Sequence, residues 1–192
     1  MQPRIDALLP TAATNIGDDD IIAGFVRADR DRPWLSVNFV SSIDGAATHN
    51  GLSGGLAGEA DKRVFDLLRR PSDAVLVGAG TVRAEGSGPM LLDAASADWR
   101  IAAGLPAHPV FAIVSRTLNL DPASRVFTDA PVRPVVLTVA TSPQARRAAL
   151  AEVADVLVCG EVDLDARAAV DALAARGLRQ LHCEGGPSLF GS

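Results

Sequence analysis

The chain has 192 residues, 48% of them hydrophobic, and a formal net charge of −5. That suffices for a buried core in one large domain or two small ones. An acidic balance with no basic cluster speaks against nucleic acid or an anionic membrane surface as the main partner. No apolar run approaches the ~20 residues of a membrane span, and the N-terminus lacks the charged and apolar regions of a signal peptide. Aromatic residues make up 4% and tyrosine is absent, so the core must be built from Ala, Val and Leu. Cys159 and Cys183 lie far apart in apolar, strand-like contexts, as reduced core thiols of a cytoplasmic protein do. His49, His108 and His182 show no metal-ligand spacing, so no metal is expected.

Residues 1–32 read as a leader, with a short helix over Ile21 to Ala28 after the turn Gly17-Asp-Asp-Asp20. Trp34 to Ile43 then alternates as a strand. Leu35, Val37 and Phe39 face one way; Ser36, Asn38, Val40 and Ser42 face the other. A polar stripe on an apolar strand suits a ligand-facing cleft; a half-exposed edge strand fits the pattern too. His49 to Gly55 is a glycine-rich loop of the kind that closes over ligands. Gly58 to Arg70 reads as a helix with Val64, Phe65, Leu67 and Leu68 on its apolar face. Its Arg63 points either to solvent or to the loop.

Asp73-Ala-Val-Leu-Val-Gly-Ala-Gly-Thr-Val-Arg83 is the stretch the chain is organised around. A buried strand through Val77 runs into Gly78-Ala-Gly80-Thr81, where two glycines permit a sharp bend and leave amides open to a phosphate. Arg83 stands where a dinucleotide fingerprint has its third glycine, so an ordinary Rossmann domain is not indicated. Glu85 follows in a glycine-rich segment. Met90 to Pro106 is irregular, with a helical turn near Ala97 to Ala103. Pro109 to Ser115 is a further strand, and Ser115-Arg116 at its end could grip the extra phosphate of NADP or simply form a turn. Strands follow at Arg133 to Ala140, Asp155 to Cys159 and Arg179 to Cys183. Between them lie a helix from the Ser142-Pro143 start to about Ala154 and one from Asp165 to Arg176, stopped by Gly177. The alternation implies one α/β domain with a largely parallel sheet. Glu184-Gly185-Gly186-Pro187-Ser188 repeats the strand-to-glycine logic. Two such bends on one sheet edge suit a dinucleotide diphosphate.

Three segments, Val37-Asn-Phe-Val-Ser-Ser-Ile-Asp-Gly45, Asp73 to Glu85 and Glu184-Gly-Gly-Pro-Ser-Leu189, resemble in order and spacing the pyrimidine reductase domain of riboflavin biosynthesis. That domain is the C-terminal half of the bacterial bifunctional deaminase-reductase. The resemblance covers about residues 33 to 192, and no zinc-deaminase signature is present. It implies a dihydrofolate reductase-like, three-layer α/β/α fold around a mostly parallel mixed sheet, with NADPH as cofactor and a homodimeric assembly. The implied reaction reduces 5-amino-6-(5-phosphoribosylamino)uracil, or a related ribosylamino-pyrimidine phosphate, to its ribityl form. A pterin-type substrate on the same fold, or a non-catalytic NADPH-binding module, remains open at this point.

By position, the resemblance implies Val77, Gly78, Gly80, Thr81, Val82, Gly185, Gly186, Pro187 and Ser188 around the diphosphate, and Ser115 and Arg116 at the adenosine phosphate. It implies Asp44, Glu85 and Glu184 as proton-handling candidates and Ser53 and Arg63 as candidates for the substrate phosphate; the polar stripe after Trp34 adds Asn38 and Ser42 as substrate contacts. The bifunctional enzymes often carry lysine where this chain has Asn38. The family continues past Gly185-Gly186, so a chain ending at Ser192 reads as a fragment or as one without its tail.

Overall fold

The computed structural model describes residues 2–27, 29–49, 55–186 and 189. Its elements, in order, are α1 (Asp18–Ala23), β1 (Trp34–Val37), α2 (Glu59–Leu68), β2 (Ala74–Gly78), α3 (Ala79–Ala84), α4 (Ala94–Ala102), β3 (Val110–Val114), α5 (Arg125–Thr128), β4 (Val135–Thr138), α6 (Gln144–Ala151), β5 (Asp155–Val158), α7 (Ala166–Ala175) and β6 (Gln180–Gly185).

The six strands form one sheet in the order β1-β6-β2-β3-β4-β5, and each pairing is parallel. A parallel sheet must be covered on both faces, because its crossover connections lie there. That is why β2 and β4 are continuous apolar runs. Along β2, Val75 and Val77 enter one core with Phe111, Ile113, Val82 of α3 and Leu150 of α6. Ala74 and Leu76 enter the other with Leu137, Leu181, Cys183 and, from α7, Ala169 and Leu173. Helices thus flank the sheet on both sides, giving the expected α/β layers. The antiparallel member implied by a mixed sheet is not among the described residues.

Strand β1 is shorter than the expected Trp34 to Ile43. Among the described residues it lies at the sheet edge and pairs with β6 alone, from Trp34↔Gln180 to Val37↔Cys183. The last rung is Asn38 N–H to Cys183 O at 3.0 Å, just before the Glu184 bulge in β6. Trp34, Leu35, Val37 and Phe39 are all exposed. Register also breaks between β2 and β6. Leu76 faces Cys183 but Val77 faces Gly185, so Glu184 is an extra residue bulged out of the ladder.

The opposite end of the sheet is pinned by Asp73. Its carboxylate accepts from the backbone N–H groups of Arg179 (3.0 Å) and Gln180 (2.8 Å) and from Arg30 Nη2 (2.5 Å). In the leader, Ile21 and Ile22 of α1 pack on Leu67 of α2. Helix α4 replaces the single turn expected near Ala97, because Asp93 caps it by accepting from Ser96 N–H at 2.8 Å. Among the described residues no helix is long and apolar enough to cross a membrane.

Candidate active site

The two glycine bends meet. Gly78 ends β2 beside Gly185 of β6; a Cβ built on Gly78 would stand 3.5 Å from Gly185 O. A Cβ on Gly186 would stand 2.5 Å from the Thr81 hydroxyl oxygen, so no larger residue fits there without movement. Gly185 has φ +82°, a conformation only glycine takes cheaply. The strand order 6-2 makes this juxtaposition unavoidable, since parallel neighbours end on the same sheet edge.

In front of the bends opens a cavity of about 630 Å³, lined by Asn38 and Phe39 after β1, by α2, and by Thr81, Glu85, Glu184 and Gly186. A second lobe of about 410 Å³ shares Phe65, Arg69, Thr81, Glu85 and Glu184 and continues under the Gly86–Met90 segment. Helix α2 contributes Lys62, Phe65, Asp66 and Arg69 to the wall. Their spacing of i, i+3, i+4 and i+7 places them on one helical face.

The wall between the lobes is an ion pair 115 residues apart in sequence. Arg69 donates from Nε to Glu184 Oε1 at 2.6 Å and from Nη2 to Oε2 at 2.9 Å. The Arg69 guanidinium lies over the Phe65 ring at 4.4 Å and has Asp66 at 3.8 Å from Nη1. The β6 bulge delivers Glu184 to this wall, and its side chain is only 6% exposed. Burial pushes the Glu184 carboxyl above its ordinary value; Arg69 pulls the other way, while Asp66 and Glu85 add to the rise. For Arg69, burial opposes the charge, but Glu184 and Asp66 hold its pKa above the ordinary value. The site therefore holds a carboxyl readier than usual to keep a proton, clamped by a planar cation.

The residues expected from sequence divide into those gathered here and those placed elsewhere. Gly78, Thr81, Glu85, Glu184, Gly185, Gly186 and Asn38 gather at the cavity and the bends. Gly80 lies in α3 with open space where a Cβ would be. Val77 and Val82 flank the first bend and belong to the core; Val77 also lines the second lobe. Ser42 and Asp44 do not line the cavity. They form an exposed turn in which the Ser42 hydroxyl donates to the Asp44 carboxylate, and that bond with the Ala46 N–H keeps Asp44 below the usual carboxylate range. Arg63 faces the leader: Nη2 reaches Asp18 at 2.6 Å and Nη1 donates to Pro3 O at 2.8 Å. Ser115 is 5% exposed, its N–H and carbonyl held by Leu137 O and Thr138 Oγ1 of β4. Arg116 lies outside the main cleft and pairs with Asp163 at 2.8 Å. Ser53, Pro187 and Ser188 fall outside the described residues. Sequence reading missed Lys62 and Arg69. The helical phase of α2 carried the signal, for Arg69 is one turn beyond Phe65, but nothing local says which face meets the cleft.

A model of the RibD C-terminal domain family matches residues 33–192. A 2,5-diamino-6-ribosylamino-4(3H)-pyrimidinone 5′-phosphate reductase of Archaeoglobus fulgidus is 30% identical over 162 residues, covering 84% of this chain and 74% of that protein. Its counterpart in Methanothermobacter thermautotrophicus is 34% identical over 164 residues, covering 82% and 69%. Among solved structures, a pyrimidine reductase-like protein from Corynebacterium diphtheriae superposes with TM-score 0.79 at 30% identity, over 91% of this chain and 75% of that one.

Proposed function

The chain belongs to the RibD C-terminal domain family, and from that premise we propose that it reduces a phosphoribosylamino-pyrimidine to the ribitylamino compound in riboflavin biosynthesis. The substrate class is that of its archaeal relatives, with the diaminopyrimidinone and the aminouracil forms as the two candidates. NADPH is the proposed cofactor; when bound, it would supply the hydride for C1′ of the substrate's ring-opened sugar imine. A homodimer in the cytoplasm is the assembly we expect.

The residues present fit a dinucleotide. Two bends meet with no room for a Cβ at Gly186, as a diphosphate held by backbone amides requires. Gly78, Gly80, Thr81, Gly185 and Gly186 would hold that diphosphate. The 630 Å³ cavity then takes the pyrimidine and its sugar phosphate. Lys62 and Arg69 are the cations of its wall, and we assign them to the phosphate and to substrate orientation in place of Arg63. The imine nitrogen needs one proton when carbon gains the hydride. Glu184, with its raised pKa, is the proposed proton holder, and Glu85 a second candidate on the same wall. Asn38 contributes an amide at the place next to β1; it can orient substrate by hydrogen bonds but cannot act as a cationic acid.

The single observation that carries this reading is the meeting of the two glycine bends beside the Arg69–Glu184 wall. The test is to supply each candidate pyrimidine with NADPH, follow cofactor oxidation, and check the product for the gain of two hydrogens. Glu184→Gln should lose turnover while keeping NADPH affinity, and Lys62→Ala should raise KM for the phosphorylated substrate more than it lowers kcat. NADPH binding with no turnover of either pyrimidine would refute the proposal.

A further inference from the structure

Helix α2 carries two rows of side chains that serve different neighbours. Lys62, Phe65, Asp66 and Arg69 line the cavity. Arg63, Leu67 and Arg70, at i, i+4 and i+7, lie one residue further on, about 100° around the helix. This second row meets the N-terminal segment and α4. The match to the reductase family begins at residue 33, so the N-terminal segment lies outside the matched domain.

That segment folds back on itself before it meets α2. Ala7 and Ala13 exchange backbone hydrogen bonds of 2.8 and 3.0 Å, and Ile16 N–H donates to Ile5 O at 2.8 Å. The doubling back brings Pro3 and Asp18 to one guanidinium. Arg63 donates from Nε (2.9 Å) and Nη2 (2.6 Å) to Asp18 Oδ1, and from Nη1 to Pro3 O (2.8 Å). The other Asp18 oxygen stands 4.0 Å from Arg70 Nη2, and Arg70 Nε donates to Ser96 Oγ of α4 at 2.9 Å. The Arg63 and Arg70 side chains are only 12% and 13% exposed. One carboxylate thus stands between two largely buried cations of α2, which without it would be left uncompensated. Ile21 and Ile22 pack beside it on Leu67.

These contacts restrain the rotation of α2 about its own axis. At the ~6 Å outer radius of a helix, a turn of about 10° moves a side chain by about 1 Å. The two bonds from Arg69 to Glu184, at 2.6 and 2.9 Å, do not both survive such a shift. We propose that the segment from Pro3 to Ile22 is a brace that sets the rotation of α2, and that Asp18 is a positioning residue for the Arg69–Glu184 wall on the cavity side of the helix. The effect on turnover rests on the reading that this wall serves the reduction; the effect on the wall itself does not.

The test uses the full chain carrying Asp18→Asn, which keeps the shape and removes the charge. Leu173→Ala, a cavity in the core on the other face of the sheet, is the control for loss of stability alone. The first readout needs no ligand: hydrogen exchange of the Arg69 Nε–H, followed by NMR and assigned with Arg69→Lys. Asp18→Asn should speed that exchange by at least about fivefold, and Leu173→Ala should leave it within about twofold. The second readout is kinetic. Asp18→Asn should lower kcat by about 10- to 100-fold, the cost of a displacement near 1 Å, with KM for NADPH within about twofold. In a chain that already carries Glu184→Gln, Asp18→Asn should lower kcat by less than about twofold, because the wall it positions is gone. Arg63→Lys, which keeps the charge and loses the fork, serves if Asp18→Asn does not fold. An unchanged Arg69 signal, or full additivity of Asp18→Asn with Glu184→Gln, overturns the inference and leaves the reductase reading standing. If wild type turns over neither pyrimidine, the reductase reading falls, and the Arg69 signal alone decides whether the brace holds the wall.

Discussion

His182 makes the protein acid-labile in a measurable way. Its ring is fully buried in the middle of β6, at 0% exposure. Nδ1 lies 3.0 Å from Ser36 Oγ, and that hydroxyl donates its one proton to Leu181 O at 3.1 Å. The ring must therefore supply Nδ1–H, which leaves Nε2 as a bare acceptor with no partner among the described residues. Protonating Nε2 would put a charge in the core on the same strand as the Arg69–Glu184 wall. Burial first, and the Arg69 charge second, push the His182 pKa down from 6.5 to about 4. The unfolded chain takes its proton near 6.5 and the folded chain only near 4. The associated stability is complete above 6.5 and drains away as pH falls toward 4. At 1.36 kcal/mol per unit the loss amounts to about 3 kcal/mol. Glu184 acts with the opposite sign. Its folded pKa is raised, so its share of stability falls as pH rises through the range above 4.5. Comparing wild type with His182→Asn, whose amide can still donate to Ser36, cancels Glu184 and isolates the imidazole. Urea unfolding at steps between about pH 4 and 7.5 should show the stability difference between the two proteins changing by about 3 kcal/mol. Parallel pH profiles for the two proteins would refute the argument.

Arg69→Ala leaves Glu184 buried without its cation, and should cost about 3–5 kcal/mol as well as most of the turnover. Adding Glu184→Gln should recover part of the stability but not the activity; a melting temperature unchanged by Arg69→Ala would contradict the pairing. Gly186→Ala drives a Cβ to 2.5 Å from the Thr81 hydroxyl, and should cost about 1–3 kcal/mol together with nucleotide affinity. Thr81→Ala in the same chain should relieve the stability loss, and strict additivity of the two changes would show that the bends do not touch. Arg100 is 1% exposed, and burial lowers its pKa to about 10. It donates to the carbonyls of Pro106, Arg69, Arg70 and Ser72, closing the C-terminal end of α2. Arg100→Leu strands these acceptors, so denaturant unfolding should show a loss of at least about 3 kcal/mol, and a loss under about 1 would refute the bracing role.

Much of this architecture was legible locally. Strands buried on both faces must be apolar at every position, and Ala74 to Val77 and Val135 to Leu137 read that way without a partner in view. Asp165 and Gly177 mark the ends of α7 through chemistry that acts within four residues: the carboxylate accepts from Ala168 N–H, and Gly177 takes φ +85°. Ser142 shows the limit of such signals. Its sequence context fits a helix cap, yet the backbone enters α6 at Pro143 and leaves the hydroxyl unused. The stripe after Trp34 shows another. Alternation continues to Ile43, but β1 ends at Val37, where its neighbour β6 reaches the Glu184 bulge.

The sequence by itself determined the α/β alternation, the two glycine bends and the acids beside them, because backbone freedom and side-chain period are properties of a few consecutive residues. Only the tertiary structure decided which side chains share the cleft. Strand order brought Gly78 to Gly185, a one-residue bulge aimed Glu184, and the rotation of α2 sent Lys62 and Arg69 inward while Arg63 went to Asp18. The reason is that a partner 115 residues away is selected by packing, and packing depends on the phase and register of whole elements rather than on any residue's neighbours in the chain.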